Sequence, residues 1–215
     1  MTAIYPYLHS YALCLLRPKL MLDWMRFGVA PYADRELPYP EVGVQIGISW
    51  SFAILQGLSR LMLANLMMHL FLHFQNSNDF FYALVDVEAG LFPYYFLIFS
   101  TALDLVFFPI LTLISTELWN FVLKLFANWL KVEGDRDELV RDITSVALSS
   151  NFFLVVPIIG VVFQQISWMI LLYIGCRHQL GASRSLAFLI LMTPTVVMLM
   201  GVSLLALGIF YLIAG

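Results

Sequence analysis

Charge is scarce in this chain. Only 12% of its 215 residues are Asp, Glu, Lys or Arg, whereas soluble domains carry about 25%. Apolar residues make up 61% of the chain, and the mean hydropathy is +0.88. These values exclude an ordinary soluble domain. We therefore expect an all-α protein whose helices cross a membrane several times.

Other absences narrow the function. The net charge is −3, so the chain lacks the clustered Lys and Arg of a nucleic-acid-binding surface. Its two cysteines, Cys14 and Cys176, lie near opposite ends, which argues against a disulfide. The sequence has no Gly-Lys-Ser/Thr phosphate loop, no Cys-x-x-Cys, no His-Glu-x-x-His and no Gly-x-Ser-x-Gly. We expect no enzyme, no cofactor and no nucleic-acid partner.

The longest uncharged run sets the topology. Residues 143–176 contain no Asp, Glu, Lys or Arg over 34 positions, and Pro157-Ile158-Ile159-Gly160 lies near the middle. A straight helix of this length would reach about 50 Å, well beyond a hydrocarbon core of about 30 Å. Either the run overshoots the membrane, or it folds back at Pro157.

Positive charge distinguishes these alternatives. Lys and Arg fall into groups at 17–35, 124–141 and 177–184, with Arg60 alone inside a predicted span. A turn at Pro157 places all three groups on one side, which is 10 of the 11 cations, as the positive-inside rule requires. A single span there would put the last group outside.

We therefore predict a polytopic transmembrane helix bundle of five spans, with a cytoplasmic N-terminus and the C-terminus outside. Residues 1–41 form a cytoplasmic segment, and residues 42–215 form the transmembrane domain. The predicted spans are 52–72, 91–115, 143–156, the rest of the uncharged run after the Pro157–Gly160 turn, and 185–215. The third span is short, because Ile143–Val156 covers only about 21 Å as an α-helix.

The cytoplasmic segment contains one predicted amphipathic helix. Pro18 suits its first turn and Gly28 its end. Trp24 lies on its apolar face with Leu20 and Phe27. The basic residues at this site are Arg17, Lys19 and Arg26. Such a helix either lies in the membrane interface or packs on the bundle as a short cytosolic helix. A Pro-rich linker follows at 29–41.

Two opposite charges are predicted at membrane depth. Arg60 in the first span lies roughly 12 Å from the cytoplasmic edge, and Asp104 in the second lies about 10 Å from it. Ionisable residues at such depth are costly and usually pair or line a cavity. We predict an ion pair, extended by Gln56 and Thr101, that is either structural or part of a substrate or proton pathway.

Further polar residues give weaker signals. His69 and His73 are spaced four apart and are weak candidates for metal ligands, with Asp79, Asp86 and Glu88 as completing ligands; a polar helix face is the simpler explanation. We predict no metal. Inter-helix hydrogen bonds are expected from Gln164, Gln165 and Ser167.

Several short motifs share a recognisable order. They are Val146-Ala147, Val156-Pro157-Ile158-Ile159-Gly160, Ile166-Ser167-Trp168, Tyr173-Ile174-Gly175 and Gln179-Leu180-Gly181-Ala182-Ser183. In this order they resemble the YIP family of five-span membrane proteins, whose eukaryotic members interact with Rab-type GTPases. The early Leu15-Leu16-Arg17-Pro18-Lys19 is similar to the short Arg-Pro opening of many bacterial members. The resemblance implies turn and helix-contact roles for Pro157, Gly160, Gly175 and Gly181.

Two functions are open. The resemblance implies a membrane organiser or adaptor of the trafficking or membrane-shaping class, which contacts lipids and a membrane or cytoplasmic protein partner. The alternative is a small transporter, channel or lipid-handling protein that uses Arg60 and Asp104. Small residues in the last span, such as Gly201 and Gly208, permit a homo-oligomer. The expected location is the bacterial cytoplasmic (inner) membrane.

Overall fold

The fold is helical throughout the part of the chain that the structure describes. This is a computed structural model, and it describes residues 5–28, 37–77 and 87–214. These residues contain seven α-helices and no strand, which confirms the all-α prediction. The helices are α1 (Tyr5–Leu16), α2 (Pro18–Phe27), α3 (Val42–Ser77), α4 (Val87–Trp129), α5 (Arg136–Leu148), α6 (Gly160–His178) and α7 (Arg184–Ala214). A 3₁₀ segment, Ser149–Val155, continues α5.

Two of the described helices are long and apolar enough to cross a membrane. They are Val42–Leu70 within α3 and Tyr95–Trp129 within α4, with mean hydropathies of 1.3 and 2.2. A shorter apolar helix covers Arg184–Val197. In the most apolar stretch of α4, only 6% is buried inside the protein. Most of the side chains in this stretch therefore face away from the protein. Burial inside this chain does not account for the hydropathy of α4, whereas contact with lipid would.

Helix α5 forms the centre of the bundle. Asp135 caps its first turn, because the carboxylate accepts hydrogen bonds from the N–H groups of Asp137 and Glu138. The described helices α1, α2, α3, α4 and α6 all contact α5. Every residue from Asp142 to Asn151 is buried. The first part of the uncharged run is thus enclosed by the other helices.

The chain folds back after the 3₁₀ segment. Residues 156–159 form the turn, and α6 then packs against both α5 and the 3₁₀ segment. The Gly160 N–H donates to Val156 O at 3.1 Å. A 3₁₀ helix rises about 2.0 Å per residue, against about 1.5 Å for an α-helix. The 3₁₀ segment therefore lengthens the short third predicted span by a few ångströms.

A glycine allows α5 and α6 to approach closely. A Cβ atom at Gly175 would lie 2.5 Å from Cγ2 of Ile143, a fully buried side chain. A similar but looser contact joins α3 and α4, where a Cβ at Gly57 would lie 2.9 Å from Cδ1 of Leu105. Each pair of helices can approach this closely because glycine has no side chain at the contact.

The N-terminal helices belong to the same core as the bundle. Leu13 and Cys14 of α1, and Met21 and Leu22 of α2, are buried in one cluster with Ile143 of α5. Sequence analysis did not identify α1 as a separate helix. Its inner face packs on α3, α5 and the 3₁₀ segment.

Helix α2 buries a different face from the one that sequence analysis singled out. Met21, Leu22 and Met25 face the bundle, whereas Trp24 is half-buried and Phe27 is exposed. The reason is that α2 has apolar residues on two sides, and only one side fits the cleft between α5 and α6. The helix ends at Gly28, which has a positive φ of 68° and donates its N–H to Trp24 O.

Candidate functional site

The predicted ion pair lies where α3 contacts α4. Nη1 of Arg60 and Oδ2 of Asp104 are 3.9 Å apart, so the structure brings the two charges together. The side chain of Arg60 is 37% exposed and that of Asp104 is 70% exposed. Nearby, the indole N–H of Trp50 donates to Leu105 O at 2.9 Å and fixes α3 against α4. The pair is therefore at the edge of the bundle.

A cavity of about 390 Å³ opens beside this pair. Arg60, Asp104, Gln56 and Thr101, the four residues of the predicted network, all line it. Gln56 and Thr101 are buried, and Nε2 of Gln56 has no hydrogen-bond partner among the described residues. An unpaired buried donor costs about 1–3 kcal/mol. The Gln56 amide is thus free to donate to a ligand or a water molecule in the cavity.

A directional chain of hydrogen bonds begins at Gln164 and Asn151, which also line the cavity. Gln164 Nε2 donates to Asn151 Oδ1 at 3.0 Å, and Asn151 Nδ2 donates to Ser49 Oγ at 3.0 Å. Ser49 Oγ lies 3.1 Å from the hydroxyl of Tyr11, which donates to Leu148 O at 2.9 Å. Each polar group can donate to the next, an arrangement in which neighbouring bonds strengthen one another. This chain connects α6, the 3₁₀ segment, α3 and α1.

The cavity combines recognition groups of several kinds. One wall carries the ion pair, another carries the Asn151 and Gln164 amides, and apolar side chains such as Phe108 and Trp168 complete the lining. Charged, amide and aromatic groups around one space can bind a molecule with both polar and apolar parts. The arrangement supports binding or passage rather than a defined chemical step.

The metal candidates remain incomplete. His69 is exposed on α3, whereas Asp79 and Asp86, and the side chains of His73 and Glu88, lie outside the described part of the chain. Across the residues that the structure describes, no three His, Cys, Asp or Glu side chains are grouped so as to hold a metal ion.

The motif residues occupy turns and helix contacts. Pro157 and Gly160 bound the turn before α6, and a Cβ at Gly160 would lie 2.3 Å from Phe153 O. Gly175 lies at the contact between α5 and α6. Gly181 has a positive φ of 63° in the connection to α7, a conformation that favours glycine. The close contacts and the positive φ favour glycine, and the turn favours proline.

Sequence reasoning missed a buried carboxylate on the other side of α5. The hydroxyl of Tyr39 donates to Oδ1 of Asp142, and Oδ2 of Asp142 has no partner among the described residues. Burial is the main cause that raises the pKa of Asp142 to about 6, and the nearby Glu138 adds to it. In the sequence, Asp142 is indistinguishable from the solvated acids around it, and only the fold shows that it is buried.

No family model, curated protein or solved structure matches the chain. The resemblance to the YIP family therefore stays a prediction.

Proposed function

We propose that this protein is a five-span integral membrane protein of the bacterial inner membrane, similar to the YIP family, that acts as a membrane organiser or adaptor. The supporting observation is the way α2 is held. Asp23 Oδ1 lies 2.7 Å from His178 Nε2, and Gln179 Nε2 donates to Leu22 O at 2.8 Å. With one face buried, α2 presents Phe27 and its basic residues outward in a fixed position.

A fixed surface suits a binding role. A partner that meets an ordered helix does not have to bear the entropic cost of ordering it. The outward residues of α2 and of its N-cap combine apolar and basic character, since Phe27, Arg26 and the N-cap Arg17 are all exposed. That combination is typical of surfaces that contact lipid headgroups or a membrane-associated protein.

The five-span arrangement is supported by a contact between two basic groups distant in sequence. Arg26 Nη1 lies 3.5 Å from Gln179 O, so the first basic group adjoins the last. This contact favours a single cytoplasmic side for the cations of those two groups. Within the middle group, Lys124 Nζ lies 2.6 Å from Asp137 Oδ1, so the end of α4 adjoins the start of α5.

Cysteine labelling tests the topology. Native Cys14 and Cys176 are free and buried, which gives a low background. With a membrane-impermeant maleimide, Ile158→Cys in the turn should label in intact cells. Glu133→Cys, in the α4–α5 connection, should label only after permeabilisation. Labelling of both positions, or the reverse pattern, would rule out the proposed orientation.

Site-specific photocrosslinking tests the adaptor role. A photoreactive amino acid at Arg17 or at Phe27 should form an adduct with the same protein in cells, because these exposed residues lie at the two ends of α2. Ile114 is the matched control, since it is exposed on the apolar helix α4 and lies outside the cavity lining. Adducts with lipid alone at both α2 positions would contradict the adaptor role.

The cavity favours a second candidate, a small transporter, channel or lipid-handling protein. Its unpaired Gln56 amide and the adjoining Arg60–Asp104 pair are the specific observations. Proteoliposomes that contain a pH-sensitive dye provide the test. Proton flux in the wild type that is lost in Asp104→Asn would support this candidate, and equal flux in the two would count against it.

A further inference from the structure

A second cavity, of about 330 Å³, lies between α2, α6 and α7. Its lining contains four basic residues, Lys19, Arg177, His178 and Arg184, together with Tyr173 and Ile174. The predicted ion pair lies outside this cavity, and of the motif residues only Lys19, Tyr173 and Ile174 line it. Its volume lies within the range of about 300–1,000 Å³ that is usual for small-molecule sites.

The charges of this cavity are unbalanced. His178 is already engaged by Asp23 at 2.7 Å. Among the described residues, the side chains of Lys19, Arg177 and Arg184 form no ion pair or hydrogen bond, and no Asp or Glu lines the cavity. Like charges around one space repel one another, and a bound anion removes that repulsion. Phosphate oxygens are suitable acceptors for guanidinium and ammonium groups.

An apolar stripe leads away from the cavity along α6. Ile166, Ile170 and Ile174 recur every four residues and so share one face of the helix. Ile174 lines the cavity, while Ile166 and Ile170 are 51% and 52% exposed. A ligand with an anionic head and a long apolar tail fits the basic cavity and the adjoining apolar stripe. A free phosphate ion would use only the cavity.

We propose that this cavity binds the phosphate group of an anionic phospholipid between Lys19, Arg177 and Arg184, with an acyl chain along the Ile166–Ile170–Ile174 stripe. The inference rests on the proposed function, in which this end of the bundle faces the cytoplasmic leaflet. Basic pockets between helices at that level are typical sites for anionic headgroups. The organiser would thereby select the lipids that surround it.

Native mass spectrometry of the full chain in a neutral detergent tests this proposal. The wild type should retain phosphatidylglycerol in preference to phosphatidylcholine. The variant Arg177→Gln/Arg184→Gln should lose affinity by about fivefold for each cation removed, or about 25-fold in total. Lys131→Gln/Arg141→Gln is the matched control, because it removes two exposed cations outside the cavity. This control should retain the lipid.

A second pair of measurements separates a lipid from a free phosphate. Ile166→Gln/Ile170→Gln should weaken lipid binding with the cations intact, and millimolar inorganic phosphate should not displace the lipid from the wild type. Displacement by phosphate, equal losses in both charge variants, or equal retention of the two lipids would each overturn the proposal. If the double variant folds poorly, Lys19→Gln removes a single cavity cation at an exposed position. It should lower the affinity for the lipid by about fivefold.

The outcomes also distinguish this site from the adaptor role. Native mass spectrometry measures the retained lipid without any protein partner. Selective retention of phosphatidylglycerol without protein adducts at Phe27 would support the lipid site and overturn the adaptor. Protein adducts at Phe27, together with equal retention of the two lipids, would support the adaptor role and overturn the lipid site.

Discussion

Arg60 of α3 and Asp104 of α4 hold opposite charges 3.9 Å apart beside a cavity, at the contact between the two most membrane-like helices. We predict that the two charges depend on each other. Removing one partner by Arg60→Met or Asp104→Leu leaves a lone charge, which costs about 2.5–3.5 kcal/mol at the centre of a bilayer. Each single variant should therefore lower the unfolding temperature in lipid discs.

The double variant provides the control for this prediction. Replacing both charges with apolar residues leaves no uncompensated ion, and such replacements are often neutral. Arg60→Met/Asp104→Leu should therefore be more stable than either single variant. Additive losses in this double-mutant cycle would show that the pair does not interact.

The carboxyl of Asp142 predicts a pH effect. Burial raises its pKa from 3.8 to about 6, so the folded chain binds this proton more tightly than the unfolded chain does. The associated stability is complete below about pH 4 and is lost as the pH rises through about 6. Asp142→Asn keeps an acceptor for the Tyr39 hydroxyl and removes the charge. It should raise the melting temperature at pH 8 and have little effect at pH 4.

Glu133→Gln is the matched control for Asp142→Asn. Glu133 is an exposed acid in the connection before α5, so this variant removes the same charge from a solvated position. It should leave the melting temperature unchanged at both pH values. A gain for Asp142→Asn that is equally large at pH 4 and pH 8 would show that charge burial is not its cause.

How much of this architecture the sequence predicts depends on the kind of signal. Long apolar runs and the Pro157–Gly160 step depend on local composition, and they predict the long helices and the fold-back. Counting residues along two helices also places Arg60 and Asp104 at one depth. The depth of a residue in the membrane depends only on its position along its own helix. It can therefore be estimated from the sequence without knowing which helix faces are in contact.

Which faces meet is the information that the sequence does not contain. Tyr11 and Ser49 are 38 positions apart, and Asn151 and Ser49 are 102 apart, yet they form one hydrogen-bonded chain. Each lies in a mainly apolar stretch with no periodicity that would indicate a partner. Similarly, α2 has two apolar sides, and only the shape of the bundle selects Met21 and Leu22 for burial.

The contact between α5 and α6 predicts a steric effect. Gly175→Ala would place Cβ 2.5 Å from Cγ2 of Ile143, which is fully buried and has little room to move. Overpacking of this kind costs about 1–3 kcal/mol. We expect a lower unfolding temperature. Gly47→Ala is the control, because nothing lies within 4 Å of its Cβ position in α3. It should be neutral or slightly stabilising, and an equal loss in both variants would exclude the steric explanation.

The turn after the 3₁₀ segment stores backbone strain at Ile158, which has a φ of 65°. A β-branched residue is an outlier in this left-handed region, and the conformation costs about 1–2 kcal/mol for a residue with a Cβ. Ile158 is 72% exposed, so its side chain adds little to the core. Ile158→Gly should therefore raise the unfolding temperature. Ile159→Gly is the matched control, because the φ of Ile159 is −90° and glycine there only adds freedom to the unfolded chain. Stabilisation by both variants, or by neither, would show that the left-handed conformation of Ile158 is not a source of strain.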